Sequence, residues 1–315
     1  ELGFTINNDT RTAILSHSKL LSKISVERIR DEFVKIIMSN SPKAGIELLA
    51  DLNLLTYISP ELLKARGVGQ NQAHAYDVWE HLLRTVQHAA DKEWPLDIRL
   101  SALFHDISKP ETKRLSHETN QITFYGHEVV GSRVTKNILE RLKFPVKTID
   151  KVVKMVRWHM FFSDTETITL SAVRRMIANV GRENIWDLMN IRICDRIGTG
   201  RPKENPYRLR KYKAMIEEAM VDPVSVGMLK IDGKRIMEVT HVTPGPKIGS
   251  ILNALLEEVL ENPKLNTEEY LEKRSAELLS LPDNELTALG KQGIEKKKET
   301  ENENLEEIKK KYHVS

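Results

Sequence analysis

Apolar residues along this chain recur three and four positions apart in segment after segment, and few stretches alternate, so helical periodicity dominates. Ser25 is placed to cap a helix carrying Ile29, Phe33, Val34 and Ile37, and Ser41-Pro42 supplies a cap and a first-turn proline for Ile46, Leu49 and Leu52. From about Tyr76 to Gly200 the pattern predicts five or six further amphipathic helices, interrupted between Ser116 and Gly126, where Gln121 to Tyr125 reads as a short hairpin strand. The clearest stripe, Ile248, Ile251, Leu252, Leu255, Leu256, Val259 and Leu260, predicts a helix from Pro246 to about Glu261, ended by Asn262-Pro263. The fold class is therefore all-α, with at most one short β-hairpin, and no repeat of 20 to 50 residues suggests a solenoid.

With 315 residues, 40% of them hydrophobic and 30% charged, the chain has material for roughly two soluble domains. No run approaches the roughly 18 apolar residues of a membrane span, and the N-terminus lacks a secretory layout, so a cytoplasmic protein without a membrane partner is expected. A single cysteine, Cys194, excludes an internal disulfide and a Cys-rich zinc site, so a metal would have to be held by histidine and carboxylate. The net charge of +3 says little, but Arg196, Arg201, Lys203, Arg208, Arg210, Lys211 and Lys213 stand against one acid, Glu204, with Tyr207 and Tyr212 interleaved. Such a stretch is either a solvated helix face or a phosphate-binding, RNA-contacting surface. Residues 291 to 311 hold seven Lys and six Glu with only Ile294, Leu305 and Ile308 apolar, a frayed helix or disorder. Glu1 in place of a methionine, and Leu2 to Ile6 reading as the end of an element, suggest that something upstream is missing.

The chemistry-bearing residues begin with His105-Asp106, which follows the apolar run Leu100 to Phe104 and so ends a buried helix. His81 lies 24 residues before His105 and Asp195 lies 89 after Asp106, each on another predicted helix. Helices that converge these side chains would make a mixed imidazole and carboxylate site for Mg²⁺ or a divalent transition metal. His127 and His159, each at the edge of a predicted helix, could complete a second site, and two metals sharing one carboxylate can clamp a phosphoester. Lys109 falls on the face of Asp106 if the helix continues, and could hold a substrate phosphate before Pro110 stops that helix. Any one of these histidines alone could be an ordinary hydrogen-bonded residue, and of the stripe His74, His81 and His88 only His81 is assigned. Gly198-Thr199-Gly200 and Pro244-Gly245-Pro246 read as turns, and Cys194, among apolar neighbours, as a packed residue without a role.

The set His81, His105-Asp106, Asp195 resembles the H…HD…D pattern of the HD-domain metal-dependent phosphohydrolases. The surrounding words Tyr76-Asp-Val-Trp-Glu-His81, Ala102-Leu-Phe-His-Asp-Ile-Ser-Lys-Pro110, Phe124-Tyr-Gly-His-Glu128 and Val156-Arg-Trp-His159 resemble HD-containing bacterial tRNA nucleotidyltransferases, the CCA-adding enzymes and poly(A) polymerase relatives. Ser25 to Ile37 and Ala44 to Leu49 are similar to that family's neck, and Leu229 to Gly233 and Pro244 to Gly249 to its tRNA-gripping body. The family's polymerising head, with its Gly-Ser turn and Asp-x-Asp pair, has no counterpart here; Glu1 to Ile6 looks like the stretch just after it, so nucleotide addition is not expected from this chain alone.

The resemblance implies a neck over residues 1–70, an HD domain over 71–200, a helical body with a tRNA-binding surface over 201–275 and a charged tail over 276–315. It implies metal-dependent hydrolysis of phosphomonoesters or 2′,3′-cyclic phosphates with Mg²⁺, Mn²⁺, Ni²⁺ or Co²⁺, tRNA and a phosphoester or nucleotide as partners, and the missing head in cis. His81, His105, Asp106 and Asp195 would hold one metal, and Asp106 would bridge to a second on His127 and His159, with Lys109 orienting phosphate. Ser108 departs from the glycine common in the family, which touches only the Lys109 geometry. A non-catalytic RNA-binding scaffold and a free-standing nucleotide hydrolase are the alternatives.

Overall fold

The computed structural model describes residues 4–70, 75–115, 121–160, 168–282, 284–286 and 288–289. Its helices are α1 Asn8–His17, α2 Val26–Met38, α3 Pro42–Asp51, α4 Leu55–Ile58, α5 Pro60–Leu63, α6 Val78–Asp91, α7 Leu96–Phe104 and α8 Lys109–Thr112. They continue with α9 His127–Arg141, α10 Val146–Trp158, α11 Leu170–Val180, α12 Ile185–Gly198, α13 Tyr207–Ala219, α14 Gly233–Thr240, α15 Pro246–Glu261 and α16 Glu268–Leu279. Among the described residues the sheet is one antiparallel pair, β1 Arg114–Leu115 and β2 Ile122–Thr123, with Arg114 opposite Thr123. The all-α expectation with one short hairpin holds there; the charged tail from 291 and His74 lie outside the described residues.

The chain divides into two compact units, Glu1–Phe161 with Glu183–Pro206, and Phe162–Arg182 with Tyr207–Ser315. The expected boundary near residue 70 thus falls inside the first unit, and α11, within 71–200 in sequence, belongs to the second. The first unit is built on α6, whose Leu82, Leu83 and Val86 pack with Phe33 and Ile37 of α2, Ile46 of α3, and Leu100, Leu103 and Phe104 of α7. Polar ties hold the segment before residue 70 to the rest. Arg141 of α9 forms a two-pronged pair with Glu61 of α5, both bonds 2.8 Å, and Arg30 of α2 donates to the Lys143 carbonyl at 2.6 Å. In the second unit the predicted α15 stripe is found: Ile248, Ile251, Leu255, Val259 and Leu260 are buried. Buried Arg174 of α11 closes the end of that helix by donating to the carbonyls of Leu260 at 2.7 Å and Glu261 at 3.1 Å.

Local details differ from the sequence reading in three places. Ser25 and Ser41 occupy N-cap positions, yet neither hydroxyl caps its helix. Pro110 does not stop a helix. α7 ends at Phe104, a turn carries His105 to Ser108, and Pro110 lies in the first turn of α8, where its missing N–H costs no hydrogen bond. Gly198 is the last residue of α12, not a turn residue, while Gly200, with φ of +90°, makes the turn that follows.

Arg99 of α7 is 4% exposed and donates to the carbonyls of Trp94, Ile37 and Ser39, tying the end of α2 to the helix that leads into His105. Arg99→Ala leaves these carbonyls unpaired and should lower the unfolding free energy by about 3 kcal/mol, as measured by urea denaturation.

Candidate metal centre

Four helices of the first unit and the turn after α7 bring six predicted residues together. His81 lies one turn into α6, whose start is fixed by Asp77 accepting the Glu80 N–H at 2.8 Å. His105-Asp106 sits where α7 ends, Asp195 is in the last turn of α12, His127 opens α9 and His159 follows the last residue of α10. Gly126, with φ of +74°, admits the left-handed conformation that turns the chain into His127. All six side chains are buried.

Their donor atoms form two groups that share Asp106, one with His81, His105 and Asp195 and one with His127 and His159. Asp106 Oδ2 lies 3.2 Å from Nε2 of both His81 and His105, and its Oδ1 lies 3.1 Å from His127 Nε2 and 3.5 Å from His159 Nε2. Asp195 Oδ1 lies 3.4 Å from His81 Nε2. The ring edges are set by the backbone: Nδ1 of His105, His127 and His159 lies within 2.9 Å of the carbonyls of Ala102, Phe124 and Val156, each three residues back. Donation to these carbonyls places the proton on Nδ1 and turns Nε2 inward.

This donor set fits divalent ions. Neighbouring Nε2 atoms stand 3.0 Å apart for His81 and His105 and 3.3 Å for His127 and His159. Ligands at right angles on one ion, each about 2.1 Å away, are separated by about 3 Å. Two neutral rings cannot both aim a lone pair at the other without a cation between them.

In the first pair of the metal-free protein a proton on His105 fills that role. Burial opposes charge on His105, but Asp106 and Asp195 outweigh it and raise the imidazole pKa to about 10. Burial likewise pushes both carboxyl groups up, and the adjoining cations reverse this: Lys109 and His105 hold Asp106 well below the usual range, and Arg192 and His105 do so for Asp195. His159 is lowered by its burial.

Lys109 meets Asp106 Oδ2 at 2.6 Å across the turn that follows α7, where a continuing helix was expected, and also donates to Gln70 Oε1 at 2.7 Å. Ser108 keeps ordinary helical-side φ and donates its hydroxyl to the His127 carbonyl at 2.6 Å, so serine here links the His-Asp turn to α9. Sequence reasoning missed Arg192, which pairs with Asp195 Oδ2 from one helical turn before it; the i,i+3 spacing to an assigned ligand was its only signal. It also missed Gly198, where a Cβ would collide with the Thr85 hydroxyl and lie 3.0 Å from the His81 carbonyl and 3.1 Å from His81 Nδ1. Cys194 is buried with its thiol pKa pushed up by burial, in keeping with a packing role. Of the basic stretch, Arg196, Arg201 and Lys203 lie in the first unit and Arg208, Arg210, Lys211 and Lys213 on α13 in the second. Arg201, Lys203, Arg208 and Arg210 are exposed, whereas Tyr212 is buried.

A helical bundle that gathers histidine and aspartate ligands from successive helices around one shared carboxylate defines an HD-type domain, and an HD-domain family model matches residues 78–200. A second model, described as a probable RNA and SrmB-binding site of polymerase A, matches residues 3–66. The chain is 33% identical over 264 residues to a CC-adding tRNA nucleotidyltransferase of Thermus thermophilus, covering 81% of this chain and 59% of the relative. It is 30% identical over 237 residues to an A-adding tRNA nucleotidyltransferase of Deinococcus radiodurans, covering 73% and 54%. A multifunctional CCA protein of Azoarcus matches over 182 residues at 29% identity, covering 55% and 43%. Over 73% to 81% of its length the chain is thus similar to HD-containing tRNA nucleotidyltransferases. It spans somewhat more than half the length of the first two of these curated relatives.

Two outcomes are expected. The His105 pKa, raised from 6.5, stabilises the metal-free fold fully below about pH 6.5 and progressively less as pH rises toward 10. The depressed carboxylates lose their contribution only at acid pH, so the melting temperature in chelator should fall between about pH 6.5 and 8.5; a flat profile would exclude the buried imidazolium. Gly198→Ala should push α12 from His81 and weaken metal affinity by about 10- to 100-fold, read by calorimetric metal titration.

Proposed function

We propose that this chain is the tRNA-binding and HD-phosphohydrolase part of a CCA-adding type of tRNA nucleotidyltransferase, acting on phosphomonoesters or 2′,3′-cyclic phosphates. The observation that carries the reading is the division of one buried carboxylate: Asp106 turns Oδ2 to His81 and His105 and Oδ1 to His127 and His159. His81, His105, Asp106 and Asp195 would hold one divalent ion, and Asp106, His127 and His159 a second. Bound there, such ions supply Lewis acidity toward phosphoryl oxygens and a water acidic enough to attack near neutral pH.

The protein's own groups do the positioning. His105 must yield its inner proton before Nε2 can act as a ligand, which its two carboxylate neighbours otherwise oppose. Lys109 neutralises Asp106 and, held between Asp106 and Gln70, supplies the cation we assign to orienting a substrate phosphate. Arg192 fixes Asp195 so that the other carboxylate oxygen faces His81. Four imidazoles with two carboxylates favour Ni²⁺, Co²⁺ or Mn²⁺ over Mg²⁺. tRNA as the macromolecular partner follows from what the relatives' names say they act on, and the exposed cations of the Arg196 to Lys213 stretch are the contacts we assign to it.

Hydrolysis of a generic phosphodiester and of 2′,3′-cyclic AMP should appear with Mn²⁺, Ni²⁺ or Co²⁺ and fall about 1,000-fold or more in Asp106→Ala. Folded protein with no turnover under any of these metals would leave an RNA-binding scaffold as the function.

A further inference from the structure

Antiparallel α9 and α10 enclose a groove of about 470 Å³ that the metal centre does not use. Its rim carries Lys136 from α9 and Lys154 and Arg157 from α10, against one acid, Asp150. Val153 lines the groove above the buried Ile149, with the Trp158 ring at one end and the Arg157 guanidinium 5.5 Å from its centre. Lys154 has no ion pair among the described residues, the Lys136 ammonium lies 3.7 Å from Glu140, and the Arg157 guanidinium lies 3.7 Å from Glu128.

We propose that this groove binds a short single-stranded RNA segment, its phosphates on Lys136, Lys154 and Arg157 and its bases on the Val153 and Trp158 surface. Cations interleaved with an apolar and aromatic floor are what a strand with one charged edge and one flat, uncharged edge requires. An acidic protein segment would match the charge but leave the aromatic floor without a planar partner. Placement adds a reason. α9 begins at His127 and α10 leads directly into His159, so the groove runs along the two helices that end in the second ligand group. Lys136 lies nine residues along α9 from His127, about 13 Å at the helical rise, so a strand in the groove would direct its end toward Asp106. The proposal rests on the reading that RNA is the partner, and places a contact on the HD domain itself, apart from the Arg196 to Lys213 stretch.

The test uses the full chain, a fluorescein-labelled single-stranded RNA 12-mer and a tRNA transcript, with binding measured from 50 to 300 mM KCl. Replacing both Lys136 and Lys154 by Gln should weaken 12-mer binding roughly tenfold near 150 mM salt and flatten the slope of log K against log salt by about 1.4. The Lys136→Arg, Lys154→Arg pair should retain the slope, and helical signal and metal content show that each variant is folded. An unaltered slope in the double Gln variant, or no 12-mer binding by the wild-type chain, would overturn the groove. So would poly-glutamate binding as tightly as RNA with the same sensitivity to the variants. Asp106→Ala separates the two readings, because it should abolish hydrolysis and keep RNA binding, so either function can fail alone.

Discussion

The organising constraint of this fold is a carboxylate buried where carboxylates are costly. Asp106 is 2% exposed, and its charge is tolerable only because the Lys109 ammonium and the surrounding imidazoles stand against it. Those imidazoles in turn present Nε2 inward. Three of them achieve this with the carbonyl three residues earlier, a contact available only where a helix or turn has just ended or begun. The carbonyl contacts that orient these rings therefore coincide with the end of α7, the end of α10 and the start of α9. The helices between those points are long because their other faces must form the core around Leu82, Phe104 and Val156.

That dependence explains what could be read in advance. Periodicity placed His105-Asp106 at the end of a buried helix and His81 and Asp195 on other helices, and only the H…HD…D resemblance joined them into one set. The α15 stripe was legible from that periodicity, and the structure reproduces its bounds. α1 was not: it buries no residue and carries no stripe, its start being marked only by Asn7 accepting the Asp9 N–H. Gly198 was taken for a turn because a Gly-x-Gly spacing looks alike whether glycine is needed for its torsion or for its missing side chain. Gly200 needs the first and Gly198 the second, and only the approach of α12 to His81 tells them apart.

Proline shows the same ambiguity with the opposite sign. In sequence Pro110 ends whatever helix carries Lys109; in the structure it begins one, because the His-Asp turn has already broken the α7 path. The consequence reaches the site. A turn lets Asp106 and Lys109 meet at 2.6 Å while His105 points at His81, an arrangement supported by the Ser108 hydroxyl bond to the His127 carbonyl. Serine at this position thus adds a link between the two ligand groups that glycine could not make.

Charge along the chain and charge on a surface are different quantities. The Arg196 to Lys213 stretch has the higher density in sequence, yet it divides between two units, part of it pairs locally, as when Arg196 donates to the Lys203 carbonyl at 2.6 Å, and its Tyr212 is consumed by packing. The α9 and α10 cations are scattered in sequence among acids such as Glu140 and Asp150, and become a rim only when the two helices pair. Because that pairing also delivers His127 and His159, the geometry that completes the second ligand group is the geometry that assembles the basic groove. The second donor group and the groove both depend on this one helical hairpin, so a substitution that loosens the α9–α10 contact affects both.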